Sequence, residues 1–224
     1  MQLGLGEVGF DREHRATRRQ VFLTEMDRVV PWTGLEALLR PHYPAFGGGR
    51  QPYLLASMLR VHLLQQWFGY ADQAMEEALI DQPLLRRFAG LDAGQSLPDE
   101  TTILRFRRML EDNQLAPSIL KLVNHLLSER GLLLKRGTVV DATLIAAAPS
   151  TKNADRQRDP DMSQTKKGNQ WYFGMKAHIG ADLESGLVHT VISTTAKVAD
   201  ITQMEALLHG EEGLVMGDGG YHRK

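Results

Sequence analysis

The chain has 224 residues, of which 42% are hydrophobic and none is cysteine. This length suits one large domain or two small ones, and the lack of cysteine excludes disulfides and thiolate metal sites. The sequence has no secretory signal and no apolar run near the ~18–20 residues of a membrane helix, so we expect a cytoplasmic protein without membrane association. The formal net charge of −1 weighs mildly against nucleic-acid binding, although local clusters of charge matter more than the sum.

Residues 1–134 have the apolar spacing of a helical domain. In LLASMLRVHLLQQWF, apolar residues recur at intervals of three and four, which predicts a long amphipathic helix. This predicted stripe consists of Leu54, Met58, Val61, Leu64 and Phe68. Shorter helices are predicted in DQAMEEALI, QPLLRRFAG and APSILKLVNHLLSER. We therefore predict an all-helical N-terminal domain.

The segment SLPDETTILRFRRMLED predicts a helix that begins with a cap. Either Ser96 or Asp99 can supply the N-cap oxygen. One apolar stripe would pack the helix against its neighbours, formed by Ile103, Phe106, Met109 and Leu110.

Three arginines of this helix lie off its apolar stripe: Arg105, Arg107 and Arg108. Short helices followed by a capped, arginine-bearing helix are compatible with a DNA reader of the helix-turn-helix kind. The alternative is a helix that packs by its apolar side and leaves the arginines in water. The arginines are our candidate DNA contacts in the N-terminal domain.

Residues 135–224 read as strands with one helix. The apolar, β-branched run GTVVDATLI predicts a strand, and the polar, basic segment 146–170 after it predicts a long loop. Two further strands are predicted on either side of DLESG, where Gly186 can adopt a positive φ. A helix capped by Asp200 and a last short strand, GLVMGD, complete the order. This order predicts a mixed sheet covered by helices.

Two aspartates lie in apolar strands: Asp141 within TVVDATLI, and Asp218 at the end of LVMGD. A buried carboxylate is costly unless it is paired, hydrogen-bonded or bound to a metal, and neither strand contains lysine or arginine. If the strands are neighbours, the two carboxylates would repel each other unless a cation lay between them. Mg²⁺ or Mn²⁺ suits such hard oxygen ligands. The alternative for each aspartate is a turn cap that accepts backbone hydrogen bonds.

Further candidates lie in the basic loop and the strand after it. Lys176 and His178 alternate with apolar residues, and from a neighbouring strand they could reach a phosphate or a metal-bound water. Trp171 could stack on an unpaired base, with Lys166 and Lys167 holding the adjacent phosphate. The alternatives are a structural hydrogen bond for the histidine and core packing for the tryptophan.

Several long motifs carry a resemblance to a known family. The segments VVDATLIAAAPSTKN, RDPDMSQTKKGNQWYFGMKAHIGAD, GLVHTV and GDGGY resemble the catalytic domain of bacterial DDE transposases of the insertion-sequence-five group. RQPYLLASMLRVHLLQQWFGYADQAMEEAL and LPDETTILRFRRMLE resemble the N-terminal helical domain of that group. The resemblance extends over nearly the whole chain from about Thr17.

The resemblance implies a fold, a metal and a substrate. We expect an α + α/β chain, with an N-terminal all-helical domain followed by an incomplete RNase H-like mixed β-sheet domain. The family implies Mg²⁺ (or Mn²⁺), double-stranded DNA with terminal inverted repeats, target DNA, and assembly as a homo-oligomer on DNA. It also implies that Asp141 and Asp218 are the first two acids of an Asp-Asp-Glu triad.

The resemblance departs from the family at the third acid. The family's glutamate lies several dozen residues beyond the second aspartate, and no residue after Asp218 matches it. We therefore expect a truncated transposase with impaired catalysis. One alternative is a first-frame product that ribosomal frameshifting completes. Others are a non-catalytic regulator that binds the element's ends, or a remnant that barely folds.

Overall fold

A computed structural model describes most of the chain, namely residues 15–45, 47, 51–91, 96–133, 136–152 and 156–221. Backbone contacts divide the chain into two units, Met1–Ile119 and Leu120–Lys224. The division falls inside a helix, ahead of the boundary after residue 134 that the change in sequence pattern indicated. None of the helices in the described ranges is long and apolar enough to cross a bilayer.

The regular elements described in the first unit are all helices. Its helices are α1 Arg18–Val29, α2 Trp32–Leu39, α3 Leu55–Phe68, α4 Asp72–Asp81, α5 Pro83–Ala89 and α6 Glu100–Asp112, with a short 3-10 turn at Arg40–His42. Helix α7, Leu115–Glu129, begins in this unit and ends in the second.

Helix α3 is the centre of the first unit. Met58, Val61 and Leu64 of the predicted stripe are buried, but Leu54 precedes the helix and is exposed. The prediction of a single apolar side is wrong, because α2, α4, α5 and α6 all contact α3 and bury Gln65 as well. A helix surrounded by neighbours has little need of a polar side.

Helix α6 follows the sequence prediction closely. Asp99 is its N-cap, since the Asp99 carboxylate accepts a hydrogen bond from the Thr102 N–H at 2.7 Å. Ile103, Phe106 and Leu110 are buried, so the predicted apolar stripe is confirmed at these positions.

The second unit contains a five-stranded mixed sheet, which confirms that part of the fold prediction. The strands are β1 Gly137–Ala146, β2 Ser163–Lys167, β3 Gln170–Asp182, β4 Val188–Thr195 and β5 Leu214–Gly217. Strand β3 pairs antiparallel with β1 on one side and with β2 and β4 on the other, and β5 pairs parallel with β1. Gly186 has a φ of 69° in the turn between β3 and β4, as predicted.

The predicted loop 146–170 contains a strand that the sequence pattern did not indicate. Strand β2 pairs with the start of β3 through a two-residue turn, Gly168–Asn169. The prediction failed because the β2 sequence, SQTKK, has no apolar residue that would alternate with polar ones. An edge strand needs no such alternation when both of its faces meet water.

The connection from β4 to β5 covers one face of the sheet. It consists of a 3-10 turn, Asp200–Gln203, and the short helix α8, Met204–Leu207. Leu207 packs with Val140 and Tyr221, and the partly buried residues Ile192, Ile201, Met204 and Leu208 surround this core.

The opposite face of the sheet is open in the described part of the chain. Side chains alternate along a strand, so residues next to the covered positions point to this second face. Three of its apolar residues are about half exposed, Ile145 at 54%, Val191 at 47% and Met216 at 49%, whereas Phe173 near the β2–β3 hairpin is buried. We call it the open face, and the face under α8 the covered face.

Candidate functional site

The strand register brings Asp141 and Asp218 together. Val140 of β1 is paired with Gly217, the last residue of β5. Asp141 follows Val140 and Asp218 follows Gly217, so each aspartate lies one residue beyond the last pair of two parallel neighbours. Parallel strands place such positions side by side, here where β5 ends beside the middle of β1.

Both aspartates are exposed, so the prediction that they are buried is wrong. The cause is that β5 ends at Gly217 and leaves Asp141 at a free strand edge. Asp141 Oδ1 accepts a hydrogen bond from the Ala142 N–H at 2.7 Å, and Asp218 Oδ1 accepts one from the Gly220 N–H at 2.9 Å. Neither carboxylate has an ion pair within the described ranges, so their negative charge is uncompensated.

Tyr221 lies close to the carboxylates beside the end of β5. Its side chain is buried, and burial raises the pKa of Tyr221 to about 12, with further contributions from the charges of Asp200, Asp141 and Asp218. Three carboxylates therefore act on one hydroxyl group. The exposed carboxylate oxygens of Asp141 and Asp218 are ligands of the kind that a hard divalent cation prefers. The described residues do not, however, contain three acidic or histidine ligands already arranged around one point.

The strand of Lys176 and His178 is the neighbour of the Asp141 strand, as the sequence analysis supposed, but their side chains lie on the other face. Ala142 is paired with His178, and Leu144 with Lys176, so both basic side chains share a face with Ala142 and point away from that of Asp141. Lys176 Nζ donates hydrogen bonds to the Asp200 carboxylate and to the Val198 carbonyl, each at 2.8 Å. The Lys176 side chain is 17% exposed, and its ammonium group is paired with the Asp200 carboxylate.

His178 is fully buried on the covered face, so DNA has no access to it in this structure. Its Nε2 lies 2.8 Å from Thr194 Oγ1, and its Nδ1 lies 3.8 Å from Asp200 Oδ1. Burial lowers the pKa of His178, the charge of Asp200 opposes this shift, and the charge of Lys176 adds to it. The expected DNA contact is corrected accordingly, because a buried, neutral imidazole is suited to a structural role.

Asp200 forms an ion pair and does not cap a helix. It was expected to cap a helix, but Ala199 occupies the cap position and no side-chain cap bond forms. The Asp200 carboxylate instead pairs with Lys176. A signal was present, since a lysine in the middle of a strand needs a partner, but the partner lies 24 residues away along the chain.

Strands β2 and β3 bring the basic and aromatic candidates together. Lys166 is paired with Trp171 across the hairpin, and Lys167 with Gln170. Trp171 is 63% exposed, so core packing is excluded for this residue. Strand alternation from Trp171 to Ile179, the partner of Asp141, places Lys166, Trp171 and Asp141 on the open face.

The three arginines of α6 differ in their surroundings. Arg107 Nη2 lies 2.6 Å from Asp72 Oδ2, and Asp72 also accepts a hydrogen bond from Gln65. Arg107 is therefore paired within the helical unit, with its side chain still 41% exposed, so it is not a free cation as the sequence suggested, and its contact with DNA stays a prediction. Arg105 and Arg108 are exposed and have no ion pair with any residue that the structure describes.

Two family matches cover most of the chain. Residues 10–109 match the family described as Transposase domain (DUF772), and residues 133–224 match the family described as Transposase DDE domain. No solved structure matches the chain. The second match contains both aspartates beside the end of β5, and the first contains the helices up to most of α6.

Proposed function

Since its two matched domains support a DDE transposase family, we propose that this chain is an insertion-sequence transposase whose Asp141 and Asp218 hold Mg²⁺ or Mn²⁺. The proposal rests on the pairing of β1 with β5. Its last pair is Val140 with Gly217, and the next residue in each strand is one of the two aspartates. The exposed, unpaired state of both side chains leaves their oxygens available as ligands.

The chemistry of the two carboxylates fits that metal. The DDE transposase family generally depends on a divalent metal. Bound divalent cations activate an attacking oxygen and stabilise the leaving oxygen in phosphodiester chemistry. Asp141 and Asp218 would hold the cation beside the end of β5, and the neighbouring open face would leave room for a DNA strand.

The topology supports the RNase H-like fold within this proposal, and the sequence resemblance supports the insertion-sequence-five group. Three antiparallel strands, β1, β3 and β4, precede a helical crossover, and β5 then returns parallel to β1. The site is thereby assembled from strands that are remote in sequence. In this proposal the chain acts on double-stranded DNA, both terminal inverted repeats and target, as a homo-oligomer.

DNA would be bound by the exposed basic residues of each unit. The β2–β3 hairpin presents Lys166 and Lys167 beside Trp171, a combination suited to a phosphate and an unpaired base. In the helical unit, Arg105 and Arg108 offer exposed guanidinium groups for phosphates or base edges.

The test is a binding and nicking assay on duplex DNA that carries the inverted repeats flanking the gene, with Mg²⁺ or Mn²⁺. Retarded DNA, with nicking that requires the divalent cation, is the expected result. Nicking that is equally strong in EDTA would contradict the proposed metal role of Asp141 and Asp218.

The same assay separates the proposal from its alternatives. The nicking has to disappear in Asp141→Asn and Asp218→Asn and persist in Asp161→Asn, an exposed aspartate outside the site. Binding without any nicking, together with inhibition of an intact transposase, would favour a non-catalytic regulator. Absence of binding to DNA would contradict the proposed function.

A further inference from the structure

A third carboxylate approaches the turn that carries Asp218. Asp200 lies on the covered face, at the start of the connection to α8. A Cβ added to Gly220 would lie 3.0 Å from Asp218 Oδ1 and 3.2 Å from Asp200 Oδ2. Two carboxylates therefore converge on one glycine, and a side chain at this position would displace at least one of them.

The orientation of Asp200 is fixed from its other side. Its Oδ1 accepts a hydrogen bond from Lys176 Nζ at 2.8 Å, and Lys176 also donates to the Val198 carbonyl two residues before Asp200. The first of these hydrogen bonds engages Oδ1 of Asp200, and the other oxygen, Oδ2, lies on the side of Gly220. A largely buried lysine needs such a partner, so the ion pair holds the carboxylate against strand β3.

The turn itself is held by short-range contacts. The Gly220 N–H donates to Asp218 Oδ1, and the Tyr221 N–H donates to the Asp218 carbonyl at 3.1 Å. Tyr221 then packs back on Gly217, where an added Cβ would lie 3.2 Å from the tyrosine side chain. The position of the Asp218 carboxylate is thus defined by the turn from Asp218 to Tyr221.

We propose that Asp200 is a positioning residue, which holds this turn through Gly220 and so sets the direction of the Asp218 carboxylate. The inference rests on the proposed function, in which Asp218 binds the metal. Asp200 is not itself proposed as a ligand, because its Oδ1 is committed to Lys176. Outer partners of this kind orient the side chains that bind a metal.

The first test is independent of metal. Amide hydrogen exchange of the segment from Leu214 to Tyr221 is measured in the metal-free chain. Asp200→Ala should raise exchange in this segment by about tenfold, while exchange in helix α3 of the helical unit stays unchanged. Asp200→Asn keeps an oxygen for Lys176 and should restore most of the protection. Unchanged exchange in Asp200→Ala would overturn the proposal.

The second test uses Mn²⁺ binding followed by electron paramagnetic resonance. Gly220→Ala should weaken binding by about tenfold, in the range of other changes behind a metal ligand. Gly219→Ala is the matched control, because its added Cβ would meet no atom within 4 Å. In the background of Asp200→Ala, the effect of Gly220→Ala should be smaller, because part of the crowding has been removed.

The outcomes distinguish a failure of the Asp200 positioning role from a failure of the proposed metal site. Equal losses of Mn²⁺ binding in Asp200→Asn and Asp218→Asn would make Asp200 a ligand and overturn its positioning role. Equal effects of Gly219→Ala and Gly220→Ala would also overturn it. If the unmodified chain bound no Mn²⁺, the proposed metal site would fail, while the hydrogen-exchange experiment would still decide whether Asp200 holds the turn.

Discussion

The two faces of the sheet are built from the same strands but carry different kinds of residue. The covered face contains the core of Val140, Leu207 and Tyr221, together with the fully buried His178. The open face carries Asp141 and the exposed hairpin residues. Alternation along each strand makes this division possible, because neighbouring side chains point to opposite faces.

The two faces differ in whether their charged side chains have partners. On the covered face Lys176 is paired with Asp200, and His178 contacts Thr194. On the open face the Asp141 carboxylate has no cationic partner among the described residues. A buried charge must be paired for the domain to fold, whereas an exposed carboxylate can remain available to a ligand. The paired groups thus stabilise the sheet, and the unpaired ones are the candidates for chemistry.

The largest expected effect tests the difference in packing between the faces. Leu207→Ala should lower the free energy of unfolding by about 2–5 kcal/mol, because it leaves a cavity in the covered core. Val191→Ala, at a half-exposed position on the open face, should cost no more than about 0.5 kcal/mol. Urea denaturation followed by circular dichroism measures both. Equal losses would remove the distinction between the faces.

Divalent metal should stabilise the chain through the unpaired carboxylates. At a Mn²⁺ concentration of 100 times the dissociation constant, we expect a gain of about 2.7 kcal/mol in the free energy of unfolding. Asp141→Asn and Asp218→Asn should lose this gain, whereas Asp161→Asn should keep it. Thermal or urea denaturation with and without Mn²⁺ measures the difference. A gain that survives in both site variants would place the metal elsewhere.

The hairpin on the open face should contribute to binding of single-stranded DNA. Trp171→Ala should weaken binding by about 1–3 kcal/mol if a base stacks on the indole. Lys166→Ala should reduce the slope of affinity against salt concentration by about one, as expected for a phosphate contact. Ile145→Ala, an exposed apolar residue of the same face, is the control. Fluorescence anisotropy at several salt concentrations distinguishes these effects.

Sequence patterns predicted the elements whose signals are local. The capped helix α6 was evident from Asp99 and the apolar stripe behind it, and the β3–β4 hairpin from its turn at Gly186. The meeting of Asp141 and Asp218 required only that two apolar strands be neighbours. Such features depend on periodicity and turn chemistry, which a single sequence contains.

Partners that lie far apart along the chain could not be predicted in this way. Arg107 and Asp72 are separated by 35 residues, so the sequence pattern did not show that this arginine has an ion-pair partner. The exposure of Asp141 also escaped prediction, because an apolar strand can be buried on one face and open on the other. Burial depends on what covers a face, and strand alternation does not identify the cover.

The smallest expected effect concerns Tyr221, which follows β5 and packs in the core of the covered face. Its pKa is raised from 10.0 to about 12, so the fold favours the neutral phenol. The resulting contribution to stability is complete below pH 10 and is lost as the pH rises from 10 towards 12. At about pH 11 the loss should not exceed about 1.4 kcal/mol relative to Tyr221→Phe. Tyr43, whose pKa is also raised to about 12, contributes equally to both proteins and cancels in the difference.

The source of this shift distinguishes the carboxylates from one another. Burial is its main cause, and among the charges Asp200 contributes more than Asp141 or Asp218. The tyrosinate absorbance attributable to Tyr221 should therefore appear at lower pH in Asp200→Asn than in the unmodified chain, with no change in Asp161→Asn. An unchanged titration in Asp200→Asn would mean that the Asp200 carboxylate does not act on this hydroxyl.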